Sequence, residues 1–92
     1  MFDNDALILE DGQAGKVSLL DADGHKYLTV SFTAPVFGLW SPPKKSAPFV
    51  CIEPWFGRCD NINYNGDWKN REWGNKLEAG KEFNGGFDIE IC

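Results

Sequence analysis

The sequence predicts an all-β chain, an antiparallel β-sandwich or part of one. Three observations lead there. Short apolar or alternating runs recur along the chain. Turn-forming residues separate them, and no helix-period pattern of useful length appears. Ten Gly and five Pro in 92 residues also oppose a helical bundle or coiled coil, because both residue types weaken helix interiors.

The expected strands follow in order. Asp5-Ala6-Leu7-Ile8-Leu9 is an apolar run that ends in the turn signal Glu10-Asp11-Gly12. Lys16-Val17-Ser18-Leu19-Leu20 comes next. Asp21-Ala22-Asp23-Gly24 then marks a hairpin turn, with Asp-Gly its strongest signal. The return strand is Lys26–Phe32, with Leu28, Val30 and Phe32 on one face and Tyr27, Thr29 and Ser31 on the other. Pro35 and Pro42-Pro43 bracket Val36-Phe37-Gly38-Leu39-Trp40. Pro48 opens a fifth run, Phe49-Val50-Cys51-Ile52-Glu53, and Pro54 is expected to close it, since proline cannot donate to a ladder. From Gly57 to about Lys76 the pattern dissolves into Asn, Asp, Gly and Trp, as in a long loop that is either functional or poorly ordered. Gly74 and Gly80 interrupt the helix formers between Trp68 and Lys81. Phe87-Asp88-Ile89-Glu90-Ile91 alternates cleanly and makes the last strand.

Charge and composition narrow the function. Nine basic and fourteen acidic residues give a net charge of −5. That argues against a nucleic-acid or anionic-membrane surface, which needs clustered Lys and Arg. No apolar run approaches a membrane span, and the acidic start Asp3-Asn4-Asp5 is unlike a signal peptide. Cys51, Cys59 and Cys92 are odd in number and lack zinc-ligand spacing. Free thiols in a reducing, cytoplasmic setting are the expectation. Aromatics make up 14% of the chain, four of them Trp, and such side chains dominate both cores and binding faces.

Glu53 is the residue with the most chemical promise. Pro54 and Trp55 follow it, and a carboxyl beside bulky apolar groups becomes a better base near neutral pH. The plainer alternative is a strand-end Glu in solvent. Trp55 and Trp40 either stack on the apolar face of a sugar ring or fill the core. Asp5 either accepts hydrogen bonds from a polyol or is simply solvated. His25, next to Asp-Gly in a hairpin turn, reads as a turn residue. Asp21 and Asp23 do not complete a calcium loop. Cys51 reads as buried in its strand, and Arg58 beside Cys59 gives only a weak nucleophile signal.

Residues 48–60, Pro-Phe-Val-Cys-Ile-Glu-Pro-Trp-Phe-Gly-Arg-Cys-Asp, resemble the C-terminal signature of the aldose 1-epimerase (galactose mutarotase) family. The similarity is greatest to its bacterial galactose-mutarotase-related branch. Phe2–Leu9, Phe37–Ser41, Asn75–Phe83 and Phe87–Ile91 resemble further segments of that branch in the same order. The resemblance covers essentially the whole chain and implies that residues 1–92 are the C-terminal part of one larger β-sandwich domain. It implies interconversion of the α and β anomers of an aldose or sugar derivative, with no metal or organic cofactor. It further implies that Glu53 takes the place of the family's general base and Asp5 that of a sugar-binding Asp. The family's acid His and a sugar-binding Arg have no counterpart here, and His25 lies outside the His motif. Ala79 stands where the family often has Pro. The resemblance therefore implies half of an acid/base pair, so the chain needs the N-terminal part of the sandwich or self-associates. A non-catalytic sugar-binding module and an inactive C-terminal fragment are the alternatives.

Overall fold

Alternation places one apolar face on each strand, and pairing decides which faces meet. The computed structural model describes residues 6–92. Six strands form: β1 (Leu7–Leu9), β2 (Lys16–Leu20), β3 (Lys26–Phe32), β4 (Val36–Trp40), β5 (Cys51–Trp55) and β6 (Phe87–Ile91). They make two antiparallel three-stranded sheets, ordered β1-β4-β5 and β2-β3-β6. A single 3₁₀ turn at Trp68–Asn70 is the one helical element among the described residues. The chain is all-β and sandwich-like, as alternation predicts.

The β2–β3 hairpin is closed by Asp21. Its Oδ1 accepts the backbone N–H groups of Asp23 and His25, both at 2.9 Å. This is the short-range role that makes Asp a turn former. Across the strands, Ser18 and Thr29 share a hydroxyl hydrogen bond of 2.7 Å.

The register puts Val17 opposite Val30, Leu19 opposite Leu28, and Phe87, Ile89 and Ile91 opposite Phe32, Val30 and Leu28. Directly opposed residues share a face. One face of this sheet is therefore apolar throughout. In the other sheet, Leu9 opposes Phe37 and Leu39 opposes Ile52. The two apolar faces meet in a small core of Val30, Phe32, Ala34 and Phe37, with Leu9, Val17, Leu28, Leu39, Ile52 and Phe56 packed around it. The rings of Phe32 and Phe37 lie 5.2 Å apart and tilted. This geometry adds a quadrupole term to their burial.

The core reaches only part of the apolar surface. Phe87, Ile89 and Ile91 stand 60%, 57% and 75% exposed although they share a face with buried Val30 and Phe32. The radius of gyration is 16.2 Å, against about 12 Å for a compact chain of this length. The fold is a thin layered slab with an open apolar margin. No helix of the described residues is long and apolar enough to cross a membrane.

One expected boundary is corrected. The fifth strand does not span Phe49–Glu53 with Pro54 as its stop. It runs Cys51–Trp55, straight through Pro54. β5 is the outer strand of its sheet, and an edge strand tolerates a residue without an N–H on its unpartnered side. Glu53 consequently sits mid-strand instead of at a strand end.

Because so few side chains are fully buried, each carries a large share of the stability. Replacing Phe32 by Ala is expected to cost about 3–5 kcal/mol, the usual range for a core Phe. Urea unfolding followed by Trp fluorescence measures it; a loss under about 1 kcal/mol would show that the Phe32–Phe37 contact is not the core.

Candidate functional site

Glu53 pairs with Gly38, Trp55 with Val36, and Cys51 with Trp40. On the far side of β4, Ile8 also pairs with Gly38. These pairings put Glu53, Trp55 and Trp40 on one face of one sheet, the face turned away from Phe37, Leu39 and Ile52. Three of the residues singled out in the sequence thus come together. Asp5, the fourth, lies outside the described residues.

Glu53 and Trp55 are half-buried and bonded to each other. The Trp55 indole Nε1–H donates to Glu53 Oε2 at 3.3 Å. They are two residues apart on β5, so strand alternation alone points both the same way. Gly38 leaves room for the indole. A Cβ there would lie 3.2 Å from Trp55 Cζ2, closer than a side chain normally tolerates. The indole therefore lies across β4 where β4 has no side chain, and the carboxylate is held against its nitrogen edge. Trp40 is also half-buried on this face, and its ring packs on Phe49 at 6.1 Å. Trp40 thus packs locally on Phe49 and shares the face of Glu53 and Trp55.

Beyond Trp55 the face opens into a shallow hollow of about 400 Å³ lined by Ile8, Trp55, Gly57, Arg58 and Cys59. Arg58 is fixed there by Glu10, whose carboxylate lies 3.2 Å from its guanidinium. In the sequence Arg58 stands out only as a neighbour of Cys59. Its place at the rim depends on β1 and β5 ending at the same end of the sheet on either side of β4, which no local motif announces. Gly38 was more legible, as the side-chain-free position in an otherwise bulky strand.

The loop after β5 is tied back onto the end of that strand. Arg71 donates to the Arg58 carbonyl and, through Nε, to Asp60 Oδ1 at 2.6 Å. Asn75 Nδ2 donates to the Phe56 carbonyl at 2.8 Å. Trp73 adopts φ 65°, and its indole nitrogen is buried without a partner among the described residues. Both features are costly for a bulky residue, and the docked loop sustains them. A Cβ on Gly57 would lie 2.9 Å from the Trp73 carbonyl oxygen. The loop can dock only because position 57 lacks a side chain.

His25 takes no part in this site. It is 80% exposed in the β2–β3 turn of the other sheet, with Nδ1 3.6 Å from Asp21 Oδ2. Asp21, Asp23 and His25 bring potential ligand atoms within 4.8 Å of one another. All three are exposed, and Asp21 is already engaged in closing the turn. Cys51 is half-buried on the site face, and Cys59 and Cys92 are exposed; all three are free thiols.

The Gly57 contact yields a direct expectation. Gly57→Ala should destabilise the chain by about 1–3 kcal/mol, the usual cost of overpacking, and should redden Trp emission as the loop lifts away. Unchanged stability and emission would mean that the loop is not docked through this contact.

Compared with protein-family models, curated proteins and solved structures, the chain matches none.

Proposed function

We propose that this chain carries the base side of an aldose 1-epimerase-like site, with Glu53 as general base. The observation that carries the reading is the Glu53–Trp55 pair on an open sheet face, with Trp40 on the same face. An indole offers a flat apolar surface to the C–H face of a sugar ring, and a carboxylate beside it accepts from a hydroxyl. The sequence resemblance to the mutarotase family supports the same assignment of Glu53.

The chemistry is proton transfer in both directions. Glu53 takes the proton of the anomeric hydroxyl. The bond from C1 to the ring oxygen breaks, its electron pair goes to the ring oxygen, and an acid protonates that oxygen. The open aldehyde rotates about C1–C2 and closes with the roles reversed. No redox change occurs and no cofactor is consumed. The chain has a single His, and it lies at the hairpin tip of the other sheet. The acid is therefore expected from another segment or chain. The three free thiols suit a reducing compartment, and the cytoplasm is the proposed setting.

Polarimetry with freshly dissolved α-glucose or α-galactose tests the reading. Residues 1–92 alone should bind the sugar, seen as a change in Trp fluorescence, but should barely exceed the buffer rate of anomerisation. When a His-bearing partner segment restores turnover, Glu53→Gln should lower it about 10²–10⁴-fold, the usual worth of a positioned base. Turnover that survives Glu53→Gln removes the base assignment. Sugar binding without turnover even in the complemented state favours a non-catalytic binding module.

The open row of Phe87, Ile89 and Ile91 supports a second part of the proposal: the chain works with this face covered. Exposed apolar patches at a sheet edge invite pairing. Sedimentation at low micromolar concentration is expected to show self-association, or a partner that suppresses it. A stable, compact monomer would contradict this.

A further inference from the structure

Trp68 is 83% exposed, an unusual state for so large an apolar side chain. The loop holds it there deliberately. Arg71 packs its guanidinium over the indole at 5.4 Å from the ring centroid. Arg71 is itself only 15% exposed, fixed by Asp60 and by the Arg58 carbonyl. Those contacts join the Trp68 platform to the residues directly after β5. Beside the platform lies a cleft of about 330 Å³, lined by Trp68, Asn75 and Leu77 and by three cations, Lys69, Arg71 and Lys76. No carboxylate lines it among the described residues, although the chain as a whole carries −5.

The three cations are not equally committed. Arg71 is spent on Asp60 and on the backbone. Lys76 is paired with Glu78 at 3.1 Å, but both are largely solvent-exposed, and such a pair is weak and easily exchanged. Lys69 makes no ion pair or hydrogen bond among the described residues. Two ammonium groups are thus available next to a flat aromatic face. The volume is at the small end for ligand sites, which suits a single ring with one substituent.

We infer that this cleft binds a sugar bearing one anionic group, a phosphate or carboxylate, with the ring against Trp68 and the anion between Lys69 and Lys76. The choice of a sugar ring rests on the function proposed above; the requirement for an anion rests on the cleft alone. Inorganic phosphate, glucose, glucose 6-phosphate, glucuronate and AMP separate the components when titrated against the intact chain by calorimetry and Trp fluorescence. Glucose 6-phosphate and glucuronate should bind at least about tenfold more tightly than glucose. That advantage should vanish in Lys69→Gln/Lys76→Gln and shrink in 0.5 M salt, which screens exposed charges. Trp68→Ala should weaken the anionic sugars while leaving inorganic phosphate binding unchanged.

Equal affinity for glucose and glucose 6-phosphate overturns the inference, as does an advantage indifferent to the two lysines. Tighter binding of AMP than of either anionic sugar overturns the sugar class. If the lysine-dependent advantage holds while turnover in a complemented sample proves indifferent to Glu53, the epimerase reading fails and the cleft stands. The reverse pattern fails the cleft alone.

Discussion

The contact between Phe32 and Phe37 joins two sheets that share no strand. The residues are five apart in sequence, yet they belong to β3 and β4, which lie in different sheets. Between them Ala34 and Val36 are almost fully enclosed. The Pro35 carbonyl accepts the Gly12 N–H, and the Gly15 carbonyl accepts the Phe32 N–H. These bonds lock the crossing point to the segment between β1 and β2. Both sheets are therefore hung from one short corner. If the corner is disturbed, the apolar faces no longer meet, and β4 can no longer present its other face to β5.

The site is a consequence of that arrangement at one remove. The corner buries the Phe37 and Leu39 side of β4, so strand alternation leaves Gly38 and Trp40 on the opposite side. Antiparallel pairing then brings Glu53 and Trp55 beside them. Because β5 is an edge strand, it accommodates Pro54 between the carboxylate and the indole. The proline fixes φ at the residue separating the two functional side chains, which stiffens their mutual placement. The same edge position lets the following loop fold back, with Arg71 and Asn75 capturing carbonyls of residues 58 and 56.

Much of this was legible in the sequence, for definite reasons. β2, β3, β4 and β6 keep the bounds that alternation and turn residues give them, because each signal is local. β5 lies two residues later than the sequence predicts because Pro54 reads locally as a stop. Whether it stops a strand depends on edge position, and that is a property of the whole sheet. Glu53 and Trp55 could be chosen from their neighbours in sequence, but their hydrogen bond depends on the space above Gly38, fifteen residues away. The role of Arg58 and the docking of the loop were invisible for the same reason. Both depend on contacts between segments that no local pattern connects.

The exposed row on β6 has a calorimetric side as well. Its apolar groups are already hydrated in the folded chain, so unfolding adds little new apolar hydration there. Exposure of apolar surface is what gives unfolding its large positive heat capacity. This fold should therefore sit below the usual increment of about 12–15 cal/mol/K per residue, and its stability should vary gently with temperature. Covering Phe87, Ile89 and Ile91 would transfer the missing heat capacity to the association step. The covered assembly would then have the steeper curvature, losing stability more sharply on both heating and cooling.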